Sequence, residues 1–280
     1  MSEFVEALQM SFMQRALLAG LLMAVICPIV GTFLVLRRLS LIADGLGHIS
    51  FAGLALGLML QWQPLVAALL ITGLGTLGIE HLRATRKAAG DVAIAIVSAA
   101  GLALGAILSG FHPNTDVMGF LFGSLVAVHP SDLRLIGLLG LTVLLLIAVT
   151  YRGLVAITID EEGATASGLP VRQLNFVFML ATAVTVVAAV RVVGILLVSS
   201  LLVIPVAASM QLFRGIFLTL AGSIVISLLS VAGGLWIAFQ FNLATGGTIV
   251  LILIASFFAT SLWSALRTRS ASMRGVMEVE

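Results

Sequence analysis

Long apolar stretches, separated by short polar or basic segments, follow one another along almost the whole chain. A helix that crosses the hydrocarbon core of a bilayer needs about 20 mostly apolar residues. By that measure the sequence predicts about nine crossings and one apolar segment that is too short to cross. The predicted crossings are 15–36, 41–60, 64–80, 91–109, 133–150, 174–190, 194–212, 216–239 and 245–266, and the short segment is 118–128.

Composition agrees with this pattern. The chain has 280 residues, of which 61% are hydrophobic and 9% charged, whereas soluble domains carry roughly 45–50% apolar and about 25% charged residues. Charge is scarce because most of the surface must face lipid. We therefore predict an all-α integral membrane protein, a polytopic bundle of about eight to ten transmembrane segments that forms a single domain over 1–280.

Basic residues cluster at segment ends, and loops rich in lysine and arginine usually lie in the cytoplasm. The clusters are Arg37 with Arg38, residues 83–87, a loop flanked by Arg152 and Arg172, and the tail 267–280. Placing all four in the cytoplasm predicts an outside N-terminus, an inside C-terminus and a segment 118–128 that dips in and returns on the outer side. The alternative is that this segment crosses and another does not. The arginines form no basic face, so we expect no nucleic-acid partner.

Several chemical signatures are absent from the sequence. It has no phosphate-binding loop of the G-x-x-x-x-G-K-[ST] type, no H-E-x-x-H and no G-x-S-x-G. We therefore predict that the chain is not an enzyme and that any ATP hydrolysis comes from a separate subunit. Its one cysteine, Cys27, lies in an apolar run and is predicted to be a small packed residue.

The second apolar stretch contains the most informative pair of residues. Asp44 and His48 are four residues apart, which places both on one helical face. Ionisable residues within the membrane are costly and usually face a cavity or a substrate pathway. A carboxylate and an imidazole suit a borderline divalent cation such as zinc or manganese. The alternative is that Asp44 pairs with Arg37 or Arg38 and that His48 is an ordinary core histidine.

A second candidate is the acidic segment 158–173. Asp160, Glu161 and Glu162 lead a short run rich in alanine and glycine, and acidic residues favour the positive end of a helix dipole. We predict a short amphiphilic helix at the cytoplasmic face. Glu162, Gly163, Ala164 and Gly168 approximate the E-A-A-x-x-x-G loop by which ABC permeases dock on their ATPase subunits. The alternative is a plain solvated loop.

Three polar residues lie on the predicted outer side. His112 and Asp116 could meet an incoming cation, and His129 is in a similar setting, although a hydrated loop also explains all three.

Five segments, in order along the chain, resemble one family. The longest is FLVLRRLSLIADGLGHISFAGLALG at 33–57, which is similar to the VLRR-x-S-L-x-x-D-x-L-x-H block of the permeases of zinc/manganese/iron ABC importers. The others are FMQRALLAG at 12–20, LFGSLVAV at 121–128, DEEGATASG at 160–168 and VVGILLVSSLLVIPVAAS at 192–209.

The resemblance implies a homodimeric membrane core in the bacterial cell membrane, two cytoplasmic ATP-binding subunits, and an extracellular or periplasmic protein that delivers the metal. It implies that Asp44 and His48 are metal ligands and that Glu162, Gly163, Ala164 and Gly168 belong to the ATPase-docking loop. The metal is then cargo, and no permanently bound cofactor is expected.

Two positions depart from the family pattern. Gly47 stands where members usually have a small polar residue, and Ser98 lies where some zinc-type members carry an additional histidine. The sequence around Asp44 resembles that of zinc-type members more than that of manganese-type members, so zinc is favoured over manganese. A different class of protein, a secondary metal transporter or channel without an ATPase, would keep the Asp44–His48 pathway but have no use for a docking loop. A third class is an intramembrane enzyme that uses Asp44 and His48 as acid and base, but the sequence offers no nucleophile for it.

Overall fold

The structure is a computed structural model that describes residues 11–84, 90–111, 117–123, 130–195 and 197–277. These residues form helices joined by short connections. In chain order the helices are α1 (Ser11–Leu36), α2 (Ser40–Met59), α3 (Pro64–Ala84), α4 (Gly90–Gly110), α5 (Val117–Phe122), α6 (Pro130–Ile159), α7 (Glu161–Ala166), α8 (Val171–Val193), α9 (Val198–Leu212), α10 (Ile216–Phe241) and α11 (Thr245–Met277). The predicted all-α membrane bundle is confirmed.

Eight of the helices within these ranges are long and apolar enough to cross a bilayer, which agrees with the predicted eight to ten segments. The remaining predicted crossing, 194–212, corresponds to α9, which begins only at Val198 and has 15 residues. At 1.5 Å per residue α9 is about 22 Å long, less than the hydrocarbon thickness of about 30 Å. The chain reaches it through Gly194, whose φ of +93° ends α8 and turns the backbone.

Two helices continue beyond their predicted ends. Helix α6 runs over Pro130–Ile159, although 133–150 was the predicted crossing, and α11 extends to Met277 beyond the predicted end at 266. The apolar pattern ends at polar residues such as Arg152, but helical hydrogen bonding does not depend on apolar side chains. The short predicted segment 118–128 overlaps α5, whose six residues span about 9 Å and cannot cross.

Glycines bring α2 close to both of its main neighbours. Gly53 faces Ala68 of α3, where an added Cβ would lie 2.6 Å from the Ala68 Cα. Gly101 of α4 faces Ile49 of α2, where an added Cβ would lie 2.7 Å from the Ile49 Cα. Both copies of the GLALG sequence therefore lie in helix contacts, as small residues at a spacing of four allow in membranes.

The buried core lies among α1, α2, α8 and α9, whereas α4, α6 and α11 expose most of their apolar side chains to the surroundings. Cys27 is completely buried in this core, as predicted. Exposed leucines and phenylalanines on the outer helices are what a lipid-facing surface requires.

The two ends of the bundle carry different elements. One end, which we call the α7 end, contains a cavity of about 560 Å³ beside α7. The cavity lies among the ends of α1, α3 and α6 and the beginning of α8. Its lining includes Arg37, Glu80, Ile159, Glu161 and Asn175. At the other end, α5 contacts Gly194 after α8 and Gly246 at the start of α11. The charge pattern predicts that the α7 end is cytoplasmic.

Candidate metal centre and coupling helix

Asp44 and His48 lie one helical turn apart on α2, and their side chains meet. Oδ2 of Asp44 is 3.5 Å from Nε2 of His48. The Asp44 side chain is 51% exposed in the single chain and the His48 side chain 17%. The predicted pair therefore exists, with its carboxylate opening to the outside of the chain and its imidazole set further in.

Ser199 of α9 is the third polar residue of this site. Its hydroxyl donates to Oδ1 of Asp44 at 3.5 Å, which is at the long limit for a hydrogen bond. Sequence reasoning assigned no role to Ser199. The available signal was a hydroxyl at the start of an otherwise apolar helix, but nothing in the sequence shows that α9 packs beside α2.

Three small residues shape the surroundings of the pair. An added Cβ on Gly47 would lie 3.2 Å from the Ile195 carbonyl oxygen, which lies in the turn before α9. An added Cβ on Gly45 would lie 2.9 Å from Ile94 and 3.8 Å from the Ser98 Cβ of α4. Gly101 lies against the backbone of His48 itself. At the level of the pair, the backbone of α2 thus lies close to α4 on one side and to the turn before α9 on the other.

The donor set of the single chain is small. Within the described ranges no group of three or more His, Cys, Asp or Glu side chains comes together. Nδ1 of His48 is buried, and the described residues offer it no hydrogen-bond partner. One chain therefore supplies one carboxylate, one imidazole and one hydroxyl, fewer strong ligands than a closed zinc site contains.

The alternative in which Asp44 pairs with an arginine is not what the structure shows. Among the described residues, Asp44 contacts His48 and Ser199. The guanidinium of Arg37 instead donates to Oδ1 of Asn175 at 2.7 Å and lies over the ring of Phe178. Arg37 and Asp44 therefore belong to different polar groups at the α7 end of the bundle.

The acidic segment forms the short helix that was predicted. Asp160 is its N-cap, with Oδ1 accepting from the Gly163 amide at 2.9 Å. The helix ends at Ala166, and Gly168, two residues later, has φ +80° and donates its amide to the Thr165 carbonyl. The Leu169 amide donates to the Ala164 carbonyl, which completes a Schellman turn.

The two faces of α7 differ. Ala164 is buried against the bundle, whereas Asp160, Glu161 and Glu162 are exposed. The exposed face of α7 is therefore acidic. His112, Asp116 and His129, the candidate residues of the outer side, lie outside the described residues.

Comparison with known proteins identifies the family. Residues 9–264 match the ABC 3 transport family. The chain is 31% identical to the high-affinity zinc uptake system membrane protein ZnuB of Haemophilus influenzae, over 90% of this chain and 97% of that protein. It is 31% identical to the manganese transport system membrane protein MntC of Listeria monocytogenes, over 93% of this chain and 94% of that protein.

The fold agrees with these relationships. The structure is similar to PsaBC from Streptococcus pneumoniae in complex with Fab, with a TM-score of 0.85 and 30% sequence identity, over 92% of this chain and 94% of that chain. The family match and the shared fold both extend over nearly the full length. The chain belongs to the ABC 3 transport family.

Proposed function

We propose that this chain is the membrane permease subunit of an ABC importer that moves divalent metal ions into the cytoplasm, with zinc favoured and manganese next. The observation that carries the proposal is the contact between Asp44 and His48 within the apolar helix α2, with the Asp44 carboxylate open to the outside of the single chain. The chain itself is a multi-pass protein of the bacterial plasma membrane, as its family and its eight long apolar helices indicate.

The chemistry of the pair suits a passing dication. Nε2 of His48 faces Oδ2 of Asp44 at 3.5 Å, so a divalent cation between these two atoms would be bound by one nitrogen and one oxygen. The Ser199 hydroxyl holds one carboxylate oxygen, which leaves the other beside the imidazole.

A second copy of the chain supplies the missing ligands. Because Asp44 is half exposed in the single chain, a two-fold axis beside α2 would bring two carboxylates and two imidazoles together. Such a set has the nitrogen and oxygen donors and the coordination number that zinc takes in proteins. This supports a homodimer and favours zinc.

The choice between zinc and manganese depends on how many imidazoles the site contains. Ser98 lies close to Gly45 on the neighbouring helix, so this position offers a hydroxyl where some zinc-type members of the family carry an additional histidine. Named relatives include both a zinc and a manganese system. Oxygen donors suit manganese and nitrogen donors suit zinc.

The proposed cycle is alternating access. A delivery protein docks on the α5 end and releases the ion toward the dimer axis, where Asp44 and His48 hold it transiently. Two ATPase subunits bind the acidic surface of α7 at the other end, and their closure reorients the bundle. A binding site for transport has to release its ion, so an incomplete ligand set is suitable.

Two experiments test the proposal. Affinity purification of the tagged chain from its own cells should recover an ATP-hydrolysing subunit; a chain that purifies without one would support an ATP-independent transporter or channel instead. In cells that lack the chain, its expression should restore growth under zinc or manganese limitation. Failure to restore either metal, with normal amounts of chain in the membrane, would overturn the proposal.

A further inference from the structure

A chain of hydrogen bonds connects α7 to the beginning of α2. Oε1 of Glu161, at the start of α7, accepts from Nδ2 of Asn175 at 3.3 Å. Oδ1 of Asn175, in the first turn of α8, accepts from Nη2 of Arg37 at 2.7 Å. Arg37 is the first residue after α1. One amide side chain thus connects three elements that are far apart in sequence.

Asn175 suits this position chemically. A carboxylate only accepts hydrogen bonds and a guanidinium only donates them, whereas an amide does both. The side chain of Asn175 therefore bridges Glu161 and Arg37 with its donor and its acceptor each facing the correct partner. The bond to Arg37, at 2.7 Å and partly buried, has the length of a strong charge-assisted hydrogen bond, whereas the bond to Glu161, at 3.3 Å and exposed, is longer and weaker.

Arg37, the last residue of this series of hydrogen bonds, is also held by an aromatic ring. Its guanidinium lies 5.7 Å from the ring centre of Phe178, and Phe178 is 1% exposed and packs edge-on against Phe33. A cation held over an aromatic ring is attracted by the ring, more strongly when water is excluded. Asn175 and Phe178, both on α8, therefore hold the Arg37 side chain next to the end of α1.

The connection from Arg37 to the metal pair is short and stiff. Arg38 has φ +57°, and the Leu39 amide donates to the Leu34 carbonyl at 2.8 Å, which closes the end of α1. Helix α2 starts one residue later, at Ser40. Asp44 is four residues further on, about 6 Å along the helix axis.

We propose that Asn175 is a positioning residue that couples the ATPase-docking helix α7 to the metal pair on α2, by relaying the displacement of Glu161 to Arg37 and the α1–α2 turn. The inference rests on the proposed function, since it requires an ATPase subunit that moves α7. It assigns to Asn175 a role in the coupling of ATP hydrolysis to transport, not in metal binding or subunit docking.

The test compares Asn175→Ala with Gln173→Ala in the complex of the full chain with its ATPase subunit, reconstituted in liposomes. Gln173 lies in the same first turn of α8 and is exposed. For Asn175→Ala we expect normal assembly and a rate of ATP hydrolysis within about twofold of wild type. The amount of metal transported per ATP should fall about tenfold, which corresponds to about 1.4 kcal/mol of coupling free energy. Gln173→Ala should transport as wild type does.

A second pair of variants guards against a purely structural effect. Arg37→Gln should lower transport per ATP as Asn175→Ala does, whereas Arg38→Gln, on the exposed neighbouring residue, should leave the ratio unchanged. The double variant Arg37→Gln/Asn175→Ala should be no worse than either single variant, because residues that act in one connection are not additive.

The outcomes separate the relay from the function on which it rests. If the wild-type complex transports metal and Asn175→Ala transports as much per ATP, the relay is wrong and the permease function stands. If Asn175→Ala fails to assemble while Gln173→Ala assembles, Asn175 acts in assembly and the relay is also overturned. A wild-type chain that neither binds an ATPase nor transports metal would overturn the proposed function and the relay together.

Discussion

Gly101→Ala is the substitution whose effect on this bundle follows most directly from the geometry. A Cβ at residue 101 would lie 2.7 Å from the Ile49 Cα and 3.0 Å from the carbonyl carbon of His48. Ordinary contacts of a Cβ start at about 3.4 Å, so α4 would have to move away from α2 by about 0.7 Å. The atoms in the way belong to backbone and cannot rotate aside.

The magnitude follows from a comparison with a second glycine. Gly73 of α3 has nothing within 4 Å of an added Cβ, so Gly73→Ala brings only the helix preference of alanine, about 1 kcal/mol in water. That preference is common to both variants and cancels in their difference. Overpacking costs about 1–3 kcal/mol, and Gly101→Ala should therefore be less stable than Gly73→Ala by about that amount.

The assay is reversible unfolding of both variants in the same detergent, together with metal uptake in cells that lack the chain. Because the clash includes the backbone of His48, we expect uptake by Gly101→Ala to fall while uptake by Gly73→Ala is unchanged. Equal unfolding free energies for the two variants would refute the reasoning, since they would show that α4 does not pack against α2 at Gly101.

Two further predictions concern residues that support the site and the docking helix. Ser199→Ala removes a long hydrogen bond to Asp44 and should raise the half-saturating metal concentration for uptake by about fivefold, or about 1 kcal/mol. Ser200→Ala is the control. An unchanged half-saturating concentration for Ser199→Ala would count against a role of Ser199 in metal binding. Asp160→Ala removes the N-cap of α7, costs about 0.5–2 kcal/mol of local helix stability and should lower recovery of the ATPase subunit severalfold. Asp160→Asn keeps an acceptor and should restore recovery; equal recovery with both variants would show that the cap is unimportant.

The sequence was sufficient for most of the fold because the bilayer imposes a length on every apolar stretch. It located eight long helices, of which all but α6 and α11 agree with the structure to within about four residues at each end. It placed the start of α9 too early, at 194, because Gly194 and Ile195 look as apolar as a helix interior. Hydropathy does not record that Gly194 has a positive φ and closes against Gly123.

The candidate site was predictable only within single elements. The spacing of Asp44 and His48 placed them on one face of a helix, and the acidic start of α7 pointed to a capped helix. Ser199 and Asn175 could not be recognised, because each is informative only through a partner distant in sequence: 155 residues separate Ser199 from Asp44 and 138 separate Asn175 from Arg37. No local pattern encodes such contacts.

The central claim is that a metal ion passes over Asp44 and His48, and metal uptake tests it most directly. Uptake by Asp44→Asn and by His48→Gln is measured in cells that lack the chain and otherwise supply the whole importer. Asp91→Asn is the matched control, since Asp91 is an exposed carboxylate at the start of α4. The account predicts that both site variants reach the membrane, recover the ATPase subunit and lose uptake of zinc and manganese, whereas Asp91→Asn retains it. Wild-type uptake by Asp44→Asn and by His48→Gln would contradict the claim that a metal ion passes over this pair.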